Sequence, residues 1–125
     1  MAGKKDKVKD KDRFSILSDT LDRCYLCGSS DRLALHEAFG GTANRKKSKE
    51  DGLIFPLCGP HHNLGTFSVH NNKDLDLKLK RYAEKIWLIK YTHEDLPIED
   101  RIQKFIDRYG KNYLEENDLW TNGRN

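Results

Sequence analysis

Three cysteines and one histidine occur in two pairs with the same spacing. Cys24 and Cys27 form a CxxC pair followed by a glycine, and Cys58 and His61 form a CxxH pair later in the chain. Two ligands at this spacing can reach one tetrahedral ion, and four protein ligands close its coordination sphere. The sequence therefore predicts a structural Zn²⁺ site of the Cys₃His type. An odd cysteine count disfavours disulfides, and the remaining alternative is buried thiols with His61 on the surface.

Three further histidines, His36, His62 and His70, lie in the same part of the chain. Adjacent His61 and His62 cannot easily point at the same ion, so one can serve the structural site while the other faces a second site. This surplus of imidazoles indicates a catalytic divalent metal with open coordination positions. Mg²⁺, Mn²⁺, Ni²⁺ and Zn²⁺ are all candidates for that metal.

Two apolar runs, Leu33–Leu35 and Leu53–Leu57, are long enough to form strands that position these residues. Between them, Gly40–Gly52 is polar and basic, and residues 23–70 have no helical period longer than a turn. The sequence therefore predicts two strands joined by a long loop. So small a core needs reinforcement, which a bound zinc would supply.

A helix is predicted after His70, with Asn71 or Asn72 as its N-cap. Its apolar positions recur at helical spacing, and they are Leu75, Leu79, Tyr82, Ile86 and Ile89. This pattern is the clearest signal of secondary structure in the chain.

A second helix is predicted to begin near Asp95-Leu96-Pro97 and to end at Gly110. Asp95 is the expected cap, although Thr92 with Asp95 offers a competing capping box one turn earlier. Three residues near the C-terminus are expected to pack the tail against both helices, and they are Tyr113, Leu114 and Trp120.

The length of 125 residues fits one domain, expected at 14–125 with a core at 23–72 and a helical extension at 73–125. Residues 1–13, in which Lys and Asp alternate, are expected to form a disordered basic arm. No run approaches the roughly 20 apolar residues of a membrane span, and no signal peptide is evident, so a cytoplasmic location is expected. The net charge is +3, with the positive excess in the N-terminal two thirds, which is compatible with a polyanionic partner.

The run from Cys24 to His70, with the segments CYLCG, LHEAFGGTANRKKS, GLIFPLCGPHHN and SVHNNKDLDLKLK, resembles the small HNH nucleases found mainly in phages of Gram-positive bacteria. The segment FIDRYGKNYL is also similar to parts of such proteins, so the resemblance covers about residues 24–114. It implies an α+β fold, a small zinc-stapled ββα-metal (HNH) core followed by two C-terminal helices. It also implies a metal-dependent endonuclease that hydrolyses DNA phosphodiester bonds, with phage recombination or packaging proteins as conceivable partners.

The resemblance further implies roles for single residues. His36 is the candidate general base, since an imidazole pKa near about 6.5 suits water activation at neutral pH. His62 and His70 are the candidate ligands of the catalytic metal. Because the first strand reads Leu35-His36-Glu37 where many family members carry an acid-His or His-His pair, Glu37 stays open as an alternative ligand or base.

The family motif has a middle asparagine shortly before the pair that corresponds to Leu57-Cys58. Gly52 and Leu53 occupy that place in this chain, so Asn44 or Asn63 would have to substitute for the missing asparagine.

A basic cluster of Arg45, Lys46 and Lys47 follows Asn44 in the predicted loop. As phosphate contacts these side chains would hold DNA near His36, while the simpler interpretation is a solvated basic loop. The alternative to a nuclease is a non-catalytic, zinc-dependent module for nucleic-acid binding or protein interaction. Such a module would need the zinc ligands but would have no use for His36 or His62.

Overall fold

Two short strands pair near the centre of the protein. In the computed structural model, which describes residues 13–115, β1 (Ala34–Glu37) and β2 (Ile54–Leu57) form an antiparallel two-stranded sheet. All four residues of β2 are buried, as expected for its apolar sequence, whereas β1 is half-buried. The register pairs His36 with Phe55 and Glu37 with Ile54. Both predicted strands are therefore present, and β1 extends two residues further than the apolar run indicated.

The segment between the strands is a helix, so the predicted long loop is wrong. Helix α1 (Thr42–Asp51) has ten residues and ends at Gly52, which has a φ of 76° and donates its N–H to Lys49 O. Most residues of α1 are good helix formers. The helix turns only Ser48 and Asp51 into the buried interior, so it has no apolar stripe for periodicity to detect.

The two C-terminal helices confirm the sequence prediction. Helix α2 (Lys73–Tyr91) is capped by Asn72, whose side chain accepts the N–H of Leu75 at 3.1 Å. Helix α3 (Ile98–Tyr109) ends at Gly110, which has a φ of 92° and lies in the left-handed region. A short π-helical turn, Pro60–Leu64, connects β2 with the loop that precedes α2.

The predicted caps of the second helix are wrong. Helix α3 starts directly after Pro97 and has no side-chain cap among the described residues. The N–H of Asp95 instead donates to the His93 ring at 3.1 Å. Thr92 closes the preceding helix by donating its hydroxyl to Leu88 O, so it forms no capping box.

A buried carboxylate joins the three helices. Asp51, at the end of α1, accepts hydrogen bonds from Trp87 Nε1 at 2.8 Å and from the Tyr109 hydroxyl at 2.7 Å. Arg108 Nε donates to the same carboxylate at 2.6 Å. Burial raises the pKa of Tyr109, and its bond to Asp51 raises it further, so the hydroxyl stays a donor at neutral pH.

The tail packs as predicted for Tyr113 and Leu114. The Tyr113 ring lies 5.2 Å from that of Phe39, and its N–H donates to the buried Glu84 at 2.8 Å. Leu114 is buried in the same core. Trp120 and residues 1–12 of the predicted arm lie outside the described residues. None of the helices within residues 13–115 combines the length and the apolar composition that a membrane span requires.

We expect Asp51→Ala to lower the free energy of unfolding by about 2–3 kcal/mol, because it leaves the buried donors of Trp87 and Tyr109 without an acceptor. Urea denaturation at a fixed zinc concentration measures this effect. Asp95→Ala is the matched control and should change stability by less than about 0.5 kcal/mol. Equal stability of the two variants would contradict the role assigned to Asp51.

Candidate metal centres

The structure brings the four predicted zinc ligands together. The first pair lies on a turn in which Gly28 donates its N–H to Cys24 O, and Leu26 donates its N–H to Cys24 Sγ at 3.4 Å. The second pair follows the end of β2. The ligand atoms of Cys24, Cys27, Cys58 and His61 all lie within 4.8 Å of one another. This Cys₃His group can hold a structural metal such as zinc, as the spacing predicted.

Distances inside the Cys₃His group fit one tetrahedral ion. The Sγ atoms of Cys27 and Cys58 are 3.6 Å apart, and His61 Nδ1 lies 3.6 Å from Cys24 Sγ and 3.3 Å from Cys58 Sγ. Zn–S bonds of about 2.3 Å and Zn–N bonds of about 2.0 Å give ligand separations of roughly 3.5–3.8 Å in a tetrahedron, and the three distances lie within about 0.2 Å of these values. The Sγ–Sγ distance is also far longer than the roughly 2.05 Å of a disulfide, and all three cysteines are free.

The thiols differ in electrostatic environment. Burial acts to raise the pKa of Cys24, but hydrogen bonds from the backbone of Cys58, Cys27 and Leu26 outweigh it and lower the pKa to about 6. Burial raises the pKa of Cys58 to about 11. A divalent cation would supply the positive charge that keeps a buried Cys58 thiolate ionised.

A second cluster contains the remaining three histidines that the sequence singled out. His36 comes from β1, His62 from the π-helical turn and His70 from the loop before α2. The Nε2 atoms of His62 and His70 are 3.0 Å apart, and one ring nitrogen of each of the three residues lies within 4.8 Å of the others. Adjacent His61 and His62 therefore serve different clusters.

The His36 ring is the most enclosed of the three. Its Nε2 atom is buried and has no hydrogen-bond partner within residues 13–115. Burial lowers the pKa of His36 to about 4, with a further contribution from the neighbouring His62 and His70. Burial also lowers the pKa of His62. Both rings are therefore neutral at pH 7, which is the form of imidazole that binds metals.

The three-histidine cluster lies in a cleft of about 410 Å³. Cationic side chains contribute to its walls, and they are Arg45, Lys73 and Lys80. Two carboxylates at the cleft form ion pairs. Glu37 lies 3.6 Å from both Arg13 and Arg45, and Asp76 lies 2.7 Å from Lys80. The cleft therefore combines imidazole nitrogen atoms that could hold a metal ion with groups that can contact an anion.

The other predicted site residues are divided between the cleft and the scaffold. Of the basic cluster on α1, Arg45 lines the cleft, whereas Lys47 donates to Arg108 O at 2.7 Å and Lys46 is not among the lining residues. The side-chain amide of Asn44 donates to Tyr109 O at 3.0 Å, which ties α1 to α3. Glu37 lines the cleft but lies outside the three-histidine cluster.

Sequence analysis missed the contribution of α2 to the cleft. Lys73, Asp76 and Lys80 are spaced by three and four residues, so they share one face of the helix that starts just after His70. That spacing was visible in the sequence, but a polar helix face is ordinarily only solvated. The role of this helix face could be inferred only from the structure, in which His36 and these side chains line the same cleft.

Comparisons of this chain with protein-family models, with curated proteins and with solved structures found no match. The resemblance to HNH nucleases therefore stays a prediction, and assignment of function rests on the geometry of the two clusters.

We expect Cys58→Ser to lose zinc and to unfold the region 23–70. Structural zinc contributes roughly 10–16 kcal/mol, which is comparable to the roughly 5–15 kcal/mol stability of a small domain. Zinc analysis and thermal unfolding measure the effect, with His93→Ala as a control because that side chain is 70% exposed. A zinc-free Cys58→Ser protein that melts near the wild-type temperature would reject the structural role of the metal.

Proposed function

We propose that this protein is a metal-dependent endonuclease of the HNH (ββα-metal) type that hydrolyses phosphodiester bonds in DNA. The observation that carries the proposal is the cluster of His36, His62 and His70 in a cleft with cationic walls, separate from the Cys₃His group. A closed four-ligand site is structural, whereas a catalytic site keeps positions open for water and substrate. Three imidazoles that face a cleft would leave coordination positions open, as a catalytic site requires.

The order of elements supports the same assignment. One strand carries His36, and a second strand pairs with it. The turn that follows carries His62, and His70 lies just before the next helix. The resemblance in sequence implies the same order. It adds a phage context, in the cytoplasm of a bacterial host.

In this proposal His62 and His70 would hold the divalent ion in the cleft. When bound, such an ion polarises a phosphate oxygen and stabilises the leaving oxygen. Arg45, which is exposed and paired only loosely with Glu37 at 3.6 Å, can contact a neighbouring phosphate. His36 lies beside both metal ligands, where it can take a proton from the attacking water or bind the ion itself.

The alternative of a non-catalytic binding module accounts for less of the structure. The Cys₃His group and the cationic side chains would be enough for nucleic-acid binding. Such a module gives no reason for a buried imidazole nitrogen of His36 to face two further histidines. Activity measurements separate the two functions directly.

We expect the wild-type protein to nick supercoiled plasmid DNA with at least one of Mg²⁺, Mn²⁺, Ni²⁺ and Zn²⁺. His36→Ala and His62→Ala should each lose this activity while keeping structural zinc and fold, because neither residue belongs to the Cys₃His group. His93 is exposed and lies far in sequence from the Cys₃His group, so the His93→Ala protein should nick DNA at the wild-type rate.

Unaltered nicking by a folded His62→Ala protein would exclude His62 as a catalytic ligand. Absence of cleavage by the wild type with all four metals would favour the binding module.

We expect Arg45→Ala to weaken DNA binding and to reduce the slope of log affinity against log salt by about one, as loss of a single phosphate contact does. Binding is measured in the His62→Ala background, so that cleavage does not interfere. Lys49→Ala is the control, because Lys49 lies on the same helix but does not line the cleft. Equal effects of the two substitutions would show that the charge of α1 acts without a specific contact.

A further inference from the structure

We infer that Phe67 is an apolar wedge that inserts between base pairs of bound DNA, so that the protein prefers duplexes that are easily unstacked at that point. The inference rests on the proposed function in that the partner is the same DNA, held in the same cleft. It is tested by DNA binding without cleavage, so the inference and the nuclease activity can fail separately.

Phe67 lies on a braced loop, residues 63–69, that joins the π-helical turn to the segment before α2. The loop is closed at its base, where the N–H of His70 donates to His62 O at 3.2 Å. The side-chain amide of Asn71 spans the loop and donates to three oxygen atoms. These acceptors are Asn63 O at 3.3 Å, Gly65 O at 3.1 Å and Ser68 Oγ at 3.0 Å. A loop held by these bonds presents its outward side chains in a fixed arrangement.

The loop exposes its aromatic residue and buries a polar one. Phe67 is 72% exposed, the largest value for a large apolar side chain among the described residues, and Leu64 in the same loop is 58% exposed. Ser68 and Val69, which follow directly, are buried. A phenyl ring would stabilise the fold more by burial than a serine does. The arrangement therefore does not serve folding, and it leaves a fixed aromatic ring available to a partner.

The loop borders the cleft in which DNA is proposed to bind. His62 and His70, at the two ends of the loop, line that cleft, and the cationic Lys73 follows on the same wall. Consecutive Cα atoms are about 3.8 Å apart, so the Cα of Phe67 lies within about 11 Å of the Cα of His70. Base pairs stack at intervals of about 3.4 Å. A duplex with a phosphate at His70 therefore passes Phe67 within about three base-pair steps.

An exposed phenylalanine beside a duplex has a known physical action. Apolar side chains such as Phe and Leu can insert between base steps, where they partly unstack the bases and kink the duplex. The cost of this deformation depends on the DNA, and it is low at TA and CA/TG steps and at mispaired bases. A wedge at position 67 would therefore select deformable or mispaired DNA without a base-specific hydrogen bond.

We expect zinc-loaded His62→Ala protein to bind a duplex with a central thymine–thymine mismatch at least about fivefold more tightly than the matched duplex, because the mismatch removes part of the cost of unstacking. Phe67→Ala in this background should bind both duplexes equally. Phe67→Trp should keep the preference, since an indole ring can also insert. Fluorescence anisotropy of labelled DNA measures all four affinities needed for each comparison.

Unstacking itself is measured with 2-aminopurine placed beside the mismatch, because its fluorescence is quenched by stacking and rises when the base is unstacked. The rise should occur with Phe67 in place and be lost in Phe67→Ala. Ile89→Ala is the matched control. Ile89 is 64% exposed, but it lies near the far end of α2 and does not line the cleft. This variant should keep both the mismatch preference and the rise in fluorescence.

Unchanged mismatch preference in the Phe67→Ala protein would overturn the inference, as would DNA binding without a rise in fluorescence or no DNA binding at all. Each of these results would assign the exposed ring to a different partner, such as a protein. Zinc content and circular dichroism show that the variants are folded. If DNA is unstacked as expected but the wild type cuts none, the nuclease is refuted and the wedge stands. If the wild type nicks DNA but Phe67→Ala binds both duplexes as its parent does, the wedge is refuted and the nuclease stands.

Discussion

The backbone turn after β2 must direct two adjacent imidazoles to two different clusters. The N–H groups of both His61 and His62 donate to Cys58 O, at 3.1 and 2.8 Å. This tight turn leaves His61 facing the three cysteines and His62 facing His36 and His70. Both candidate centres depend on it, because this turn sets the directions in which the two adjacent side chains project. A metal held by the Cys₃His group would fix the turn and so position His62.

The same metal would compensate for a very small sheet. Each strand has only four residues, and a two-stranded sheet is marginal without further support. The CxxC turn lies against this sheet, since Tyr25 donates its N–H to Pro56 O at 2.7 Å and its ring lies 4.9 Å from that of Phe55. Zinc bound between the CxxC turn and the end of β2 would hold this contact closed. The geometry of His36, on the partner strand, depends on that sheet.

Local signals in the sequence were enough to predict the Cys₃His group, both strands, the helix capped by Asn72 and the end of α3 at Gly110. Each of these depends on the spacing or type of a few neighbouring residues. Helix α1 could not be found in this way, since tertiary contacts and not an apolar stripe hold it. The bond network of Asp51 joins residues far apart in sequence. Arg45 lines the cleft, whereas Lys47 donates to Arg108 O, and this difference likewise depends on where α3 packs.

The division of adjacent histidines between two centres is tested most directly by X-ray absorption at the zinc edge, on protein that carries one equivalent of zinc. The account predicts three sulfur ligands at about 2.3 Å and a single imidazole nitrogen at about 2.0 Å. A first shell with two or more imidazoles would place His62 or His70 on the cysteine-bound ion. In that case the cleft would lose its separate metal site, and the account would be wrong.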